Sequence, residues 1–364
     1  MNSVGIYIHV PFCGKKCSYC DFYSVCYTKQ QTELYVDAVL RNISNYGSMD
    51  TVSETIYFGG GTPSLLAPDQ TERILSRIRE CFTVPENAEI TMEANPATLT
   101  AERLSAYRNA GINRLSIGVQ SMRDDELRYL GRLHTAERAE KAIYDAVNAG
   151  FGNISCDLMI ALPYQTAEDI VYSIERLSEL PIVHVSAYLL KIEKGTPFDC
   201  DDIISSMPDE DKSAELYLTM CRELESRGFI QYEVSNFAVK GYESRHNCRY
   251  WKCQDYIGIG PSAHSCYNGK RFSVPRDLEL FINSDVQPTE ITDDSPCGFE
   301  EYAMLRLRLK EGLLLDLVPE HRSDIEKKLP SLLKAGYIEY DGNTVSLTRK
   351  GFLMSNSVIE YLIF

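Results

Sequence analysis

The 364-residue chain has no uninterrupted apolar run of the roughly 18 residues that a membrane-crossing helix needs. Nor does its start show a basic segment followed by an apolar stretch. A cytoplasmic protein is the expectation. Positive charge is scarce, with 37 Lys and Arg against 52 Asp and Glu, and the net charge of -15 argues against general nucleic-acid binding, which needs basic surface to displace counterions. There is a single tryptophan, and no internal repeat or low-complexity segment is evident.

Cysteine, by contrast, is plentiful. In a reducing compartment the twelve thiols read as free, buried or metal-bound rather than disulfide-linked. Cys81, Cys156, Cys221 and Cys297 stand alone, and a lone cysteine behaves as a small buried hydrophobe. Cys13, Cys17 and Cys20 instead fall together in "HVPFCGKKCSYCDFYS" with the spacing C-x3-C-x2-C. A closed zinc site needs four ligands, and no second Cys pair is near; Cys26 is the nearest residue that could complete one. A [4Fe-4S] cluster held by three thiolates keeps one iron open for another ligand.

The length exceeds the usual single-core size of roughly 250 to 300 residues, so a large domain with a smaller appendage is expected. Apolar or β-branched runs recur at 4–10, 55–60, 89–95, 114–120, 153–162 and 184–192. Segments such as "TERILSRIRECF" and "AERAEKAIYDAVNAG" lie between them, with apolar residues at three- and four-residue steps. This βα alternation predicts parallel strands with function gathered at their carboxyl ends. The acidic segment 193–215 reads as a solvated loop leading into a helix over 212–228. From about residue 290 the pattern turns to helices and a hairpin centred on Asp341-Gly342-Asn343. The expected division is 1–200 for a barrel, 201–289 for a connecting region and 290–364 for a winged-helix-like α+β module.

Directly after the first strand, the cysteine spacing resembles the radical S-adenosylmethionine (SAM) superfamily. "FGGGTPSLL" (58–66) is similar to its glycine-rich segment, since glycines let backbone approach a ligand closely. Glu93, Gln120, Arg132 and Asp157 follow near successive strand ends. Each alone could cap a helix or pair with a neighbour. In this order they resemble the oxygen-independent coproporphyrinogen III oxidase group. That resemblance implies a partial (β/α)6 TIM-like barrel of the radical SAM type. It implies a [4Fe-4S] cluster on Cys13, Cys17 and Cys20, with SAM on the open iron as source of a 5′-deoxyadenosyl radical. It also implies that Tyr7, Gly60, Gly61, Thr62, Glu93, Gln120, Arg132 and Asp157 line the SAM site, with Ala187 near the adenosine and Tyr19 beside the cluster.

Two departures separate the chain from the decarboxylating oxidases of that group. Phe22 stands where they carry a fourth cysteine, and only twelve residues precede Cys13. Both features are similar to the heme chaperone branch, as is "RHNCRYWKCQDYIGIGPSAHS" (245–265), with His246, Asn247, Tyr250 and Trp251 matching its H-N-x-x-Y-W segment. The resemblance implies heme as ligand and client hemoproteins as partners, and it admits a homodimer. His246 is the expected axial ligand, because neutral imidazole binds iron without losing a proton; His264, Cys248 and Tyr250 are nearby candidates for that role. Radical decarboxylation of porphyrinogen propionates is the alternative activity.

Overall fold

The computed structural model describes residues 2–364. Six strands lie side by side in chain order, all parallel: β1 (Asn2–Val10), β2 (Ser48–Gly60), β3 (Glu89–Ala94), β4 (Arg114–Gln120), β5 (Asn153–Ile160) and β6 (His184–Leu189). They match the six apolar runs because strands covered on both faces must be apolar almost throughout; every residue of β4 is buried. β1 and β6 do not pair with each other. The outer neighbour of β1 is the parallel strand Tyr256–Ile259, and that of β6 is the antiparallel strand Asn236–Ala238. The barrel is therefore partial.

The crossover helices begin on matched chemistry. Thr28, Thr100, Thr135 and Thr166 each accept a hydrogen bond from a backbone N–H in the first turn, capping the helices Lys29–Tyr46, Ala101–Ala110, Ala136–Asn148 and Ala167–Ser178. Such a cap is worth about 1 kcal/mol. The helix expected from residue 71 starts at Pro68, where proline fills a first-turn position that needs no N–H donor. In the acidic segment, Asp209 caps the helix Glu210–Ser226 through the Lys212 N–H, with Glu210 and Asp211 in its first turn. Part of that negative charge thus complements a helix dipole.

On the β1 side the large sheet continues through Tyr256–Ile259, His264–Tyr267, Lys270–Ser273 and Glu290–Asp293. The expected division at 290 thus falls at the start of a strand of this sheet. Beyond it, the helices Phe299–Arg306 and Pro319–Ala335 accompany a three-stranded antiparallel sheet ordered Leu313–Leu314, Thr344–Leu347, Ile338–Tyr340. Its hairpin turn is held by the Asp341 carboxylate, which accepts the N–H groups of Asn343 and Thr344 at 3.0 and 2.7 Å. One continuous apolar core runs from Val4 to Leu362 and joins this module to the barrel. Among the described residues no helix is long and apolar enough to cross a membrane.

Candidate functional site

The segment after β1 folds back over the carboxyl ends of the strands. The N–H of Val25 donates to Pro11 O at 2.7 Å, that of Tyr27 to Cys13 O at 3.2 Å and that of Cys20 to Cys17 O at 3.3 Å. These bonds bring Cys13, Cys17 and Cys20 to one wall of a cavity of about 400 Å³. All three thiols are free and half-buried. The Cys13 Sγ lies 3.5 Å from Thr62 Oγ1, and Arg132 Nη1 donates to Cys17 Sγ at 3.4 Å. Burial raises the Cys20 thiol above its ordinary range, and Cys17 and Cys13 add to the rise. Cys26 is the register partner of Cys13 on a short parallel strand pair, yet it is exposed and outside the cavity wall, whereas Phe22 lies on that wall. Three half-buried thiols on one cavity wall, one of them beside a guanidinium, have the chemistry for thiolate ligation of a compact metal group.

The opposite walls carry the polar side chains. Glu93 on β3 accepts from Tyr57 Oη at 2.9 Å and from the Gly60 N–H at 3.1 Å. Burial, with the charge of Asp157 adding, lifts its carboxyl to about 7. Asp157 on β5 accepts from Ser116 Oγ at 3.0 Å and is lifted by burial to about 6. Gly60 has φ +109°, and a Cβ there would stand 2.8 Å from the His9 ring; a Cβ on Gly61 would stand 2.7 Å from Phe12 O. Glycine is thus required both for backbone conformation and for the close approach of β2 to β1. Tyr19, Thr62, Gln120 and Arg132 complete the expected residues on the cavity wall.

Three expected residues lie elsewhere. Tyr7 is hydrogen-bonded through its hydroxyl to His9 Nδ1 at 3.1 Å and stacks on Tyr57, behind the cavity. Ala187 is buried on the far face of β6, because strand alternation turns Ser186 and Tyr188 toward the cavity. His246 is fully buried, with Nδ1 2.9 Å from Thr55 Oγ1 and Nε2 2.8 Å from Tyr250 Oη. Both ring nitrogens are engaged, so the imidazole has no free position for an iron in this conformation. The physical reason is the placement of the helix Arg245–Trp251. The N–H groups of Arg245 and His246 both donate at 3.0 Å to Glu89, the first residue of β3, so this helix plugs the amino-terminal end of the barrel. Asn247, not His246, reaches the cavity.

Arg114 was not singled out by the sequence reading. It is 1% exposed, lines the cavity, and makes no side-chain hydrogen bond or ion pair with any described residue; its Nε is buried without a partner. Its charge lowers the carboxyls of both Glu93 and Asp157 against the effect of burial. A signal was present: a charged residue opening "RLSIGVQ", a strand buried on both faces, has only an interior cavity to occupy.

Residues 7–177 match the model of the radical SAM superfamily. The heme chaperone HemW of Lactococcus lactis subsp. lactis (strain IL1403) is 34% identical over 368 residues, covering 97% of this chain and 96% of the relative. HemW of Escherichia coli (strain K12) is 34% identical over 389 residues, covering 99% and 98%. Among solved structures, coproporphyrinogen III oxidase (HemN) from Escherichia coli, a radical SAM enzyme, aligns with a TM-score of 0.84 over 99% of this chain and 90% of that one. Its identity is 22%, a likeness of fold alone.

Proposed function

The chain belongs to the heme chaperone family of radical SAM proteins, and from that premise we propose that it binds heme and delivers it to client hemoproteins. The observation that carries this reading is the similarity to two heme chaperones over nearly the whole length of each chain. Membership in the superfamily brings a [4Fe-4S] cluster and SAM as cofactors. Twelve free thiols suit the reducing cytoplasm.

In this reading Cys13, Cys17 and Cys20 hold the cluster as thiolates, and Arg132 offsets negative charge beside Cys17. When bound, the cluster supplies an electron for cleavage of the sulfonium of SAM. Glu93 and Asp157, the strand carboxylates of the cavity, suit a ligand bearing an ammonium and a sulfonium, and Gly60 and Gly61 let the backbone come close to it. Tyr57 holds one oxygen of Glu93 and the Gly60 amide holds the other, so that carboxylate is oriented before any ligand arrives.

Porphyrinogen decarboxylation is less favoured, because Phe22 stands at the position of the fourth cysteine. Anaerobic incubation of the reconstituted protein with coproporphyrinogen III, SAM and reductant, run beside a heme titration and transfer to an apo-hemoprotein, separates the two. Heme uptake and transfer without decarboxylated product is the expected result. Product formation would overturn the chaperone-only reading.

A further inference from the structure

The chain has six histidines. His9, His134, His184 and His246 are buried. His9 is bonded at both nitrogens, to Tyr7 Oη at 3.1 Å and Tyr23 O at 3.3 Å. His184 is bonded to Ser155 Oγ at 2.7 Å and Tyr232 Oη at 2.9 Å. His134 holds Val119 O at 3.0 Å. His321 stacks face to face on Phe299 in the carboxyl-terminal module, with ring centroids 3.5 Å apart. His264 alone is exposed, and its ring makes no hydrogen bond with any described residue.

Its position is also distinctive. The strand Tyr256–Ile259 runs parallel to β1 with Ile259 beside Ile8, so the turn after it lies at the same end as the cysteine segment. That turn passes through Gly260 and Ser262, at φ +112° and +71°, and a Cβ on Gly260 would stand 2.6 Å from His9 O. His264 therefore emerges next to His9, whose ring holds the Tyr23 carbonyl three residues past Cys20 and one past Phe22, itself 60% exposed. Tyr23 Oη in turn accepts the N–H of Leu278 at 3.0 Å, tying in the loop that carries Arg276. Arg276 is exposed and forms no ion pair or hydrogen bond with any described residue, whereas Arg271, the other guanidinium beside His264, is engaged by Glu301. Lys15 and Lys16, on the cysteine segment, are likewise exposed and unpaired among the described residues.

We propose that His264 is the axial ligand of heme on the rim beside the cysteine segment, with Arg276 pairing with a propionate and Phe22 offering apolar surface to the macrocycle. The proposal rests on the heme-binding reading above. The chemistry is complementary part by part: an unengaged imidazole for the iron, an uncommitted guanidinium for a carboxylate and an exposed aromatic for a flat apolar face. Partial burial, then the charges of Arg276 and Arg271, hold His264 below its ordinary 6.5. The ring is therefore neutral, with its lone pair available, at pH 7.

The test uses full-length, cluster-reconstituted protein titrated anaerobically with heme, followed by the Soret band. His264→Ala is expected to shift the band and weaken binding at least tenfold, with iron and sulfide content unchanged. His246→Gln and His321→Ala are expected to keep the wild-type spectrum. Arg276→Ala is expected to weaken binding of heme but not of heme dimethyl ester, whose propionates carry no charge. An unaltered Soret band and affinity in His264→Ala overturns the assignment, as does loss of the band in His321→Ala with His264 intact. Absence of heme binding by the wild-type protein would overturn the heme reading itself, an outcome distinct from failure of the ligand assignment.

Discussion

Replacing Glu93 by Gln isolates the energetic consequence of keeping a carboxyl inside the barrel. Burial raises this group from 4.5 to about 7. The native state therefore holds a proton that the unfolded chain has already released, and stability falls as pH rises through that interval. The contribution is fully present below 4.5 and lost above about 7. A rise of that size corresponds to about 3 kcal/mol, a ceiling because the side chain faces a cavity open to water. Gln cannot ionise, so its variant lacks this loss. It keeps an acceptor for Tyr57 Oη but turns its amide N–H toward the Gly60 N–H that Glu93 accepts at 3.1 Å, a mismatch costing about 1 kcal/mol. Urea unfolding of cluster-loaded, SAM-free protein under argon should find Glu93→Gln less stable than wild type at pH 5 and more stable, by about 1 to 2 kcal/mol, at pH 8. Asp157 titrates in both proteins, and its repulsion of ionised Glu93, lost with the carboxylate, is part of the gain at pH 8. Parallel pH profiles in the two proteins would refute the reasoning.

Replacing Cys13, Cys17 or Cys20 by Ala should abolish the brown chromophore and most bound iron and sulfide after anaerobic reconstitution; a full cluster in the triple variant would remove these thiols from the site. Gly60→Ala forces a side chain into φ +109° and against the His9 ring at 2.8 Å, costing about 1 to 2 kcal/mol or more. The change that SAM produces in the electron paramagnetic resonance spectrum of the reduced cluster should then be suppressed while iron content holds. Arg114→Met removes the cavity charge that favours ionised Glu93 and Asp157, so SAM affinity at pH 7 should fall by about tenfold and recover at higher pH. Arg114→Lys should restore most of it. Because no described residue hydrogen-bonds to or ion-pairs with the Arg114 guanidinium, the thermal midpoint of the Met variant should not fall, and a lowered midpoint with an unshifted pH profile would make the residue purely structural.

The six parallel strands were legible because most of their residues are buried and so read as apolar runs between helical segments. β4 was found to the residue, at Arg114–Gln120. Gln120 and Arg132 were named through the family resemblance rather than through topology, and both lie on the cavity wall. The sheet extension over 264–273 was not, because its strands are only four residues long and too short to establish a period. The start of the second crossover helix was displaced because Pro68 is a start signal only when the preceding residue is known to be extended, as Ala67 is.

The fate of His246 was hidden for a different reason. Its two partners, Thr55 and Tyr250, lie 191 and 4 residues away, and only the folded chain shows that both nitrogens are taken. With its ring stacked on Tyr57 at 5.1 Å, and Tyr57 holding Glu93 at 2.9 Å, the H-N-x-x-Y-W helix supports the orientation of a cavity carboxylate from beneath. Aromatic and imidazole residues in a short motif suit a porphyrin and suit a packed plug equally well. What distinguishes the two is whether the ring nitrogens are spent, and those of His264, exposed at the opposite end of the sheet, make no hydrogen bond with any described residue.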